Sequence, residues 1–207
     1  MIIPILLLLL YRQQPRSLRP IIIYLWLGFV LNIAIDVIAQ INAYAHILSN
    51  NPLYNIHSVV RFGCFSLYFI HLQKNSFSSF KKSLALIALT FLVVNFIFFE
   101  NFFNPDSFSG NLLSVEAYFL LVYCMLFYLA ELRDENNLFN SPHFWIVTGL
   151  SIYVVTNFFV FLFYIPMLDV NTHLAINIWN VHNMAFIVFC LFIAKAFYDP
   201  IRYQYSI

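Results

Sequence analysis

The chain has 207 residues, of which 62% are hydrophobic, 20% aromatic and 9% charged, with a formal net charge of +1. A soluble domain is about 25% charged, so most side chains here are suited to lipid rather than water, and a soluble catalytic module is excluded. The near-zero net charge gives no bulk attraction to nucleic acid, and none is expected as a partner.

The first element, Met1 to Tyr11, is an apolar stretch without a preceding basic residue or a small-residue cleavage site, unlike a signal peptide. It is read as a short first helix entering from outside. At about 10 residues it falls below the ~17 of a full span, so it is either a stub or the remainder of a longer segment. Six further apolar segments follow, roughly Pro20 to Gln40, Leu53 to Leu72, Ser83 to Phe99, Asn111 to Ala130, His143 to Ile165, and Ile176 to Phe197. The turn residues between them include Ser49-Asn50-Asn51-Pro52, Asn104-Pro105-Asp106 and Asn140-Ser141-Pro142. Ser141 before Pro142 has the form of an N-cap with proline in the first turn. The expected fold is therefore all-α, a single polytopic membrane domain over residues 1–207 with seven transmembrane helices.

The basic residues give an orientation. Arg12, Arg16 and Arg19, then Lys74, Lys81 and Lys82, then Arg133, then Lys195 and Arg202 lie on alternate connections. The positive-inside rule makes those connections cytoplasmic. The amino end is then outside and the carboxyl end in the cytoplasm.

The tenth basic residue, Arg61, falls within the third span. An ionisable group at that depth is costly and marks either a pair or a site. The other candidates inside spans are Asp36, His57, Glu116, Asn157, His182 and Asn183, and the orientation puts them in the outer halves. The inner halves are almost entirely Leu, Ile, Val and Phe. An outer-half polar pocket is expected, with Asp36, His57, Arg61, Glu116, Asn157, Trp179, His182 and Asn183 as candidate ligand-binding residues. Arg61 needs a carboxylate, which Glu116 or Asp36 can supply. His57 and Arg61, four apart, share a helix face. No catalytic residue or cofactor is expected. Cys64, Cys124 and Cys190 sit in apolar runs as inert thiols.

Tyr54-Asn55-Ile56-His57-Ser58 and Trp179-Asn180-Val181-His182-Asn183 both read aromatic, Asn, aliphatic, His, polar. Asn32 and Asn157 keep the same offset. With the fourth span as a connector, this suggests a 3+1+3 parallel repeat of the kind found in transporters.

Several families are disfavoured. Lys195 lies at the edge of the last span, where it does not serve retinal. Apart from Pro4, the prolines fall in connections or at helix ends, unlike those of the sugar exporters with three-plus-one-plus-three helices. His57, His182 and Asp36 supply three ligands for a zinc-dependent membrane hydrolase resembling the alkaline ceramidases, but the HxxxH of that family is absent from the last span.

Pro15-Arg16-Ser17-Leu18-Arg19 ahead of the second span, and Ser141-Pro142-His143-Phe144-Trp145-Ile146-Val147-Thr148-Gly149 opening the sixth, resemble stretches in a group of small uncharacterised bacterial polytopic membrane proteins. Those resemble, in turn, the seven-helix membrane modules found ahead of some histidine kinases. The resemblance implies a bacterial cytoplasmic (inner) membrane and a sensory role. Where that group has a glutamate in the third span, this chain has Arg61. The expected function is a sensor or receptor-like protein that binds a small ligand in the outer pocket and signals to a cytoplasmic or membrane protein partner. Lys81, Lys82 and the tail after Lys195 are the expected docking points. The alternatives are a small-solute transporter, a zinc-dependent hydrolase, and a structural subunit of a membrane complex.

Overall fold

A computed structural model describes residues 1–11, 14–45, 49–72, 77–103, 109–131, 141–170 and 172–204. Among these, seven α-helices follow in order: α1 (Ile2–Leu10), α2 (Arg19–Ala45, after a 3-10 turn at Arg16–Leu18), α3 (Asn51–His71), α4 (Ser78–Phe98), α5 (Gly110–Glu131), α6 (Pro142–Val170) and α7 (Thr172–Gln204). No strand occurs among the described residues. Arg12, Lys74, Asn104, Pro105, Asp106, Arg133 and Asn140 lie outside them, as does the side chain of Arg202.

The chain is an all-helical, multi-pass membrane protein. Five of its described helices are long and apolar enough to cross a bilayer: α2, α4, α5, α6 and α7. The nine residues of α1 are too few. α3 has 21 residues, but Asn55, His57, Ser58, Arg61 and Ser66 reduce its hydropathy. All five are buried, because α3 turns its polar groups into the bundle rather than towards lipid. On α4, by contrast, Leu86, Ile87, Leu89, Val93 and Ile97 are all more than half exposed, as a lipid-facing stripe requires.

Proline and serine fix the helix starts. Ser141 caps α6, its Oγ accepting the backbone N–H of His143 at 3.3 Å. Pro52 occupies the first turn of α3, where a missing N–H costs nothing.

α3 packs on α2, α4 and α5, while α6 pairs closely with α7 and also packs on α5. α1 lies against α7 and α2. A chain of contacts defines one end of the bundle. Ser17 and His143 Nε2 are 3.3 Å apart, and Tyr68 Oη and His143 Nδ1 are 2.9 Å apart. Phe69 stacks on Tyr123, whose hydroxyl donates to the Lys81 carbonyl, and Gln14 Nε2 donates to the Phe197 carbonyl. The start of α2, the end of α3, the starts of α4 and α6, and the ends of α5 and α7 therefore meet there. Arg16, Arg19, Lys81, Lys82 and Lys195 all belong to this basic end. Of the expected docking pair, Lys81 is only 5% exposed and Lys82 is exposed. Lys195 is placed over the Trp145 ring, 5.4 Å from its centroid.

Candidate functional site

In the half of the bundle away from the basic residues lies a cavity of about 180 Å³. It is similar in size to the roughly 150 Å³ cavity that admits benzene, but its walls are polar. Asn32 and Asp36 reach it from α2, and Tyr54, His57 and Arg61 from α3. Tyr153 and Phe161 line it from α6, and Trp179, His182 and Asn183 from α7.

Each of these helices changes character at the same depth. Below its lining residues α2 places Ile21, Tyr24 and Leu25, α3 places Phe65, Tyr68 and Phe69, α6 places Ile146, Val147 and Leu150, and α7 places Phe189 and Ile193. All are essentially inaccessible. Rings interlock in this layer: Phe189 stacks on Tyr153 with centroids 5.3 Å apart and tilts against Phe65 at 5.7 Å. Close packing in a core leaves few voids larger than a water molecule, so the layer forms a solid floor.

Arg61 stands at the boundary and is 4% exposed. Its Nε donates to Glu116 Oε1 at 2.5 Å and its Nη2 to Glu116 Oε2 at 2.6 Å, a two-point pair. Its Nη1 donates to the Tyr153 hydroxyl at 2.6 Å, and its guanidinium lies 5.0 Å from the Tyr153 ring centroid. Ser58 donates to the second Glu116 oxygen. One turn separates Ser58 from Arg61 on α3, so both clasp the same carboxylate from a single helix face. The pair is neutral overall, which is how a membrane interior tolerates it.

His182 Nδ1 lies 2.7 Å from Asn157 Oδ1. An amide oxygen only accepts, so the ring donates from Nδ1 and keeps its lone pair on Nε2. Asn157→Leu is expected to leave that N–H without its partner and to cost about 1–3 kcal/mol of stability. Thermal unfolding of purified protein measures this, and an unchanged midpoint would contradict it. His57 is 7% exposed, and its Nε2 has no hydrogen-bond partner. A Cβ on Gly28 would come within 3.3 Å of that nitrogen, so glycine at this point lets the ring seat against α2.

Of the residues expected from sequence, Asp36, His57, Arg61, Trp179, His182 and Asn183 line the cavity. Glu116 and Asn157 stand behind it, holding Arg61 and His182. Of the two carboxylates considered for Arg61, Glu116 is the partner. Tyr153 escaped the sequence reading; a tyrosine in mid-span, whose hydroxyl needs a partner when buried, was the available signal. Among the described residues no three His, Cys, Asp or Glu gather closely enough to hold a metal ion, so His57, His182 and Asp36 do not form a zinc set here.

Comparison of the chain with protein-family models, with curated proteins and with solved structures finds no match.

Proposed function

We propose that this chain is a seven-helix membrane sensor that binds a small polar ligand in the outer-half cavity and signals to a protein partner on the cytoplasmic side. In this reading α3 crosses with the five apolar helices, and α1, too short to span the bilayer by itself, is a partial seventh. The amino end is outside and the carboxyl end cytoplasmic, in the inner membrane of a bacterium. The basic residues gathered at one end of the bundle support the orientation, because cytoplasmic flanks collect Lys and Arg. Exposed Lys82 and the tail after Lys195 are then the docking points.

The observation that carries the proposal is the floor. A cavity with eleven polar or aromatic lining side chains ends on closely packed aromatic and aliphatic residues contributed by the same four helices. A ligand held there can shift α3, α6 and α7 against one another without a path through the bundle. That is a receptor's geometry rather than a channel's.

A thermal-shift screen of the detergent-purified protein against polar metabolites, run beside His57→Ala, tests it. The expected hit stabilises the parent, loses its effect in the variant, and fails to cross liposomes containing the protein. No hit, with His57→Ala merely less stable, would make the polar cluster architectural.

Solute transport is the second reading, and the packing pattern favours it. α1 lies on α7 as α5 lies on α3, and α2 pairs with α3 as α6 pairs with α7. That is the relation expected of a 3+1+3 repeat, with His57 and His182 as equivalent positions lining one cavity. Flux of the bound solute through those liposomes, above the protein-free rate, would replace the sensor with a transporter.

A further inference from the structure

The cavity's two ends differ in chemistry, and the difference bears on what fits between them. The deep end offers donors. Three of the five Arg61 N–H bonds are used by Glu116 and Tyr153, which leaves two. The Tyr153 oxygen accepts from Arg61, so its own O–H remains to donate. These donors carry little net positive charge, because Glu116 already neutralises Arg61 at 2.5 Å.

The outer end is different. Asp36 lines the cavity and has neither a hydrogen-bond nor an ion-pair partner among the described residues. Beside it on the wall, the rings of Tyr54 and Trp179 stand at 90° with centroids 5.5 Å apart, forming two sides of an aromatic corner. Trp179 is itself braced by Tyr164 at 5.1 Å and by His182 at 5.0 Å. A carboxylate on a wall shared with two aromatic rings attracts an ammonium group, chiefly through charge, with the quadrupole of a ring adding to it where a face is presented. Counting Asp36 against the neutral Arg61–Glu116 pair leaves the cavity with a formal charge of −1, which repels anions. His57 is on the wall between the two ends, with its Nε2 seated against Gly28 of α2 and without a hydrogen-bond partner.

We infer that the outer cavity selects small organic cations bearing a hydrogen-bond acceptor at their far end. The ammonium sits at Asp36 against Tyr54 and Trp179, and the acceptor points towards Arg61 and Tyr153. The assignment rests on the reading of this cavity as a ligand site and names its ligand class. A free amine and the ammonium headgroup of a lipid share this chemistry.

Binding is measured by thermal shift and calorimetry on protein purified in a maltoside detergent, whose head carries no charge. The probes are tetramethylammonium, choline, 4-aminobutyrate, butyrate and neutral erythritol, with phosphatidylethanolamine and phosphatidylglycerol as added lipids. Choline and 4-aminobutyrate are expected to bind at least about tenfold more tightly than butyrate, with tetramethylammonium weaker than choline for want of an acceptor. Asp36→Asn, at an exposed position on α2, is expected to weaken both about tenfold or more while the protein stays monodisperse, and Asp36→Glu to restore part of the loss. Stabilisation by phosphatidylethanolamine alone, lost in Asp36→Asn, supports the cation class with a lipid source.

Butyrate or erythritol binding better than the cations, with the effect lost in His57→Ala, would overturn the cation class and leave the cavity a ligand site. Cation binding untouched by Asp36→Asn overturns the assignment, and so does no binding by any probe. In that last case the metabolite screen with His57→Ala decides separately whether the cavity takes a ligand at all.

Discussion

Glu116→Ala is expected to be the most damaging single substitution in the polar centre, costing about 3–5 kcal/mol, because it strands a buried guanidinium. Arg61 is 4% exposed, and its two Glu116 bonds are 2.5 and 2.6 Å long. Without the carboxylate, only Tyr153 remains to hold it. Arg61→Ala is expected to cost less. A stranded carboxyl group can take up a proton and become neutral, and Ser58 still donates to it, whereas a guanidinium cannot shed its charge. The joint replacement Arg61→Met with Glu116→Leu should recover most of the stability, since neither charge then remains to be desolvated. Unfolding of the purified protein by heat or by a denaturing detergent ranks the four proteins. Equal damage from the two single alanine changes would contradict the asymmetry. A joint variant as unstable as Glu116→Ala would show that the pair is worth more than its solvation cost.

The second large effect is expected at the α6–α7 contact. A Cβ on Gly149 would meet Phe192 Cβ at 2.4 Å, a separation that real side chains do not adopt, with Phe192 Cγ at a tight 3.0 Å and Phe189 Cδ2 at 3.4 Å. Two helix backbones approach closely here because one of them lacks a side chain, the usual basis of tight helix association in membranes. No flexible group can give way, since the clash is with a Cβ fixed to the α7 backbone. Gly149→Leu is expected to push α6 from α7 and to cost at least the upper part of the roughly 1–3 kcal/mol typical of overpacking. Gly63 provides the control, because nothing lies within 4 Å of a Cβ added there. Gly63→Ala is expected to be neutral or to add up to about 1 kcal/mol, through helix propensity alone. The difference between the two glycines is the quantity to measure. A benign Gly149→Leu would mean that α6 and α7 have slack at this level.

α3 illustrates where sequence reading and hydropathy diverge. The polar breaks bound a segment from Leu53 to Leu72, and the helix runs from Asn51 to His71. Counted by composition, however, α3 is not among the five apolar spans. The same residues that lower its hydropathy are those it buries, so polarity that argues against a lipid-facing helix marks a central one. α6 and α7 run beyond the apolar limits of Ile165 and Ile176, to Val170 and from Thr172, because a helix can continue into the interfacial region after its apolar run has ended.

By itself the sequence determined the helical class, the approximate limits of the segments, the clustering of basic residues on alternate connections, and the common depth of Asp36, His57, Arg61, Glu116, Asn157 and His182. These are one-dimensional properties: hydropathy, charge and turn residues along the chain, each tied to position along a helix axis by a fixed rise of about 1.5 Å per residue. The tertiary structure decided which groups meet. That Glu116 rather than Asp36 holds Arg61, that Asn157 orients His182, that Tyr153 joins the cluster and that Asp36 is left unpaired all depend on how each helix is turned about its axis. Helices apolar on nearly every side, facing lipid on one side and apolar neighbours on the other, carry little pattern to fix that turn. It is set by packing between helices, at contacts such as Gly149 against Phe192, which no single segment contains.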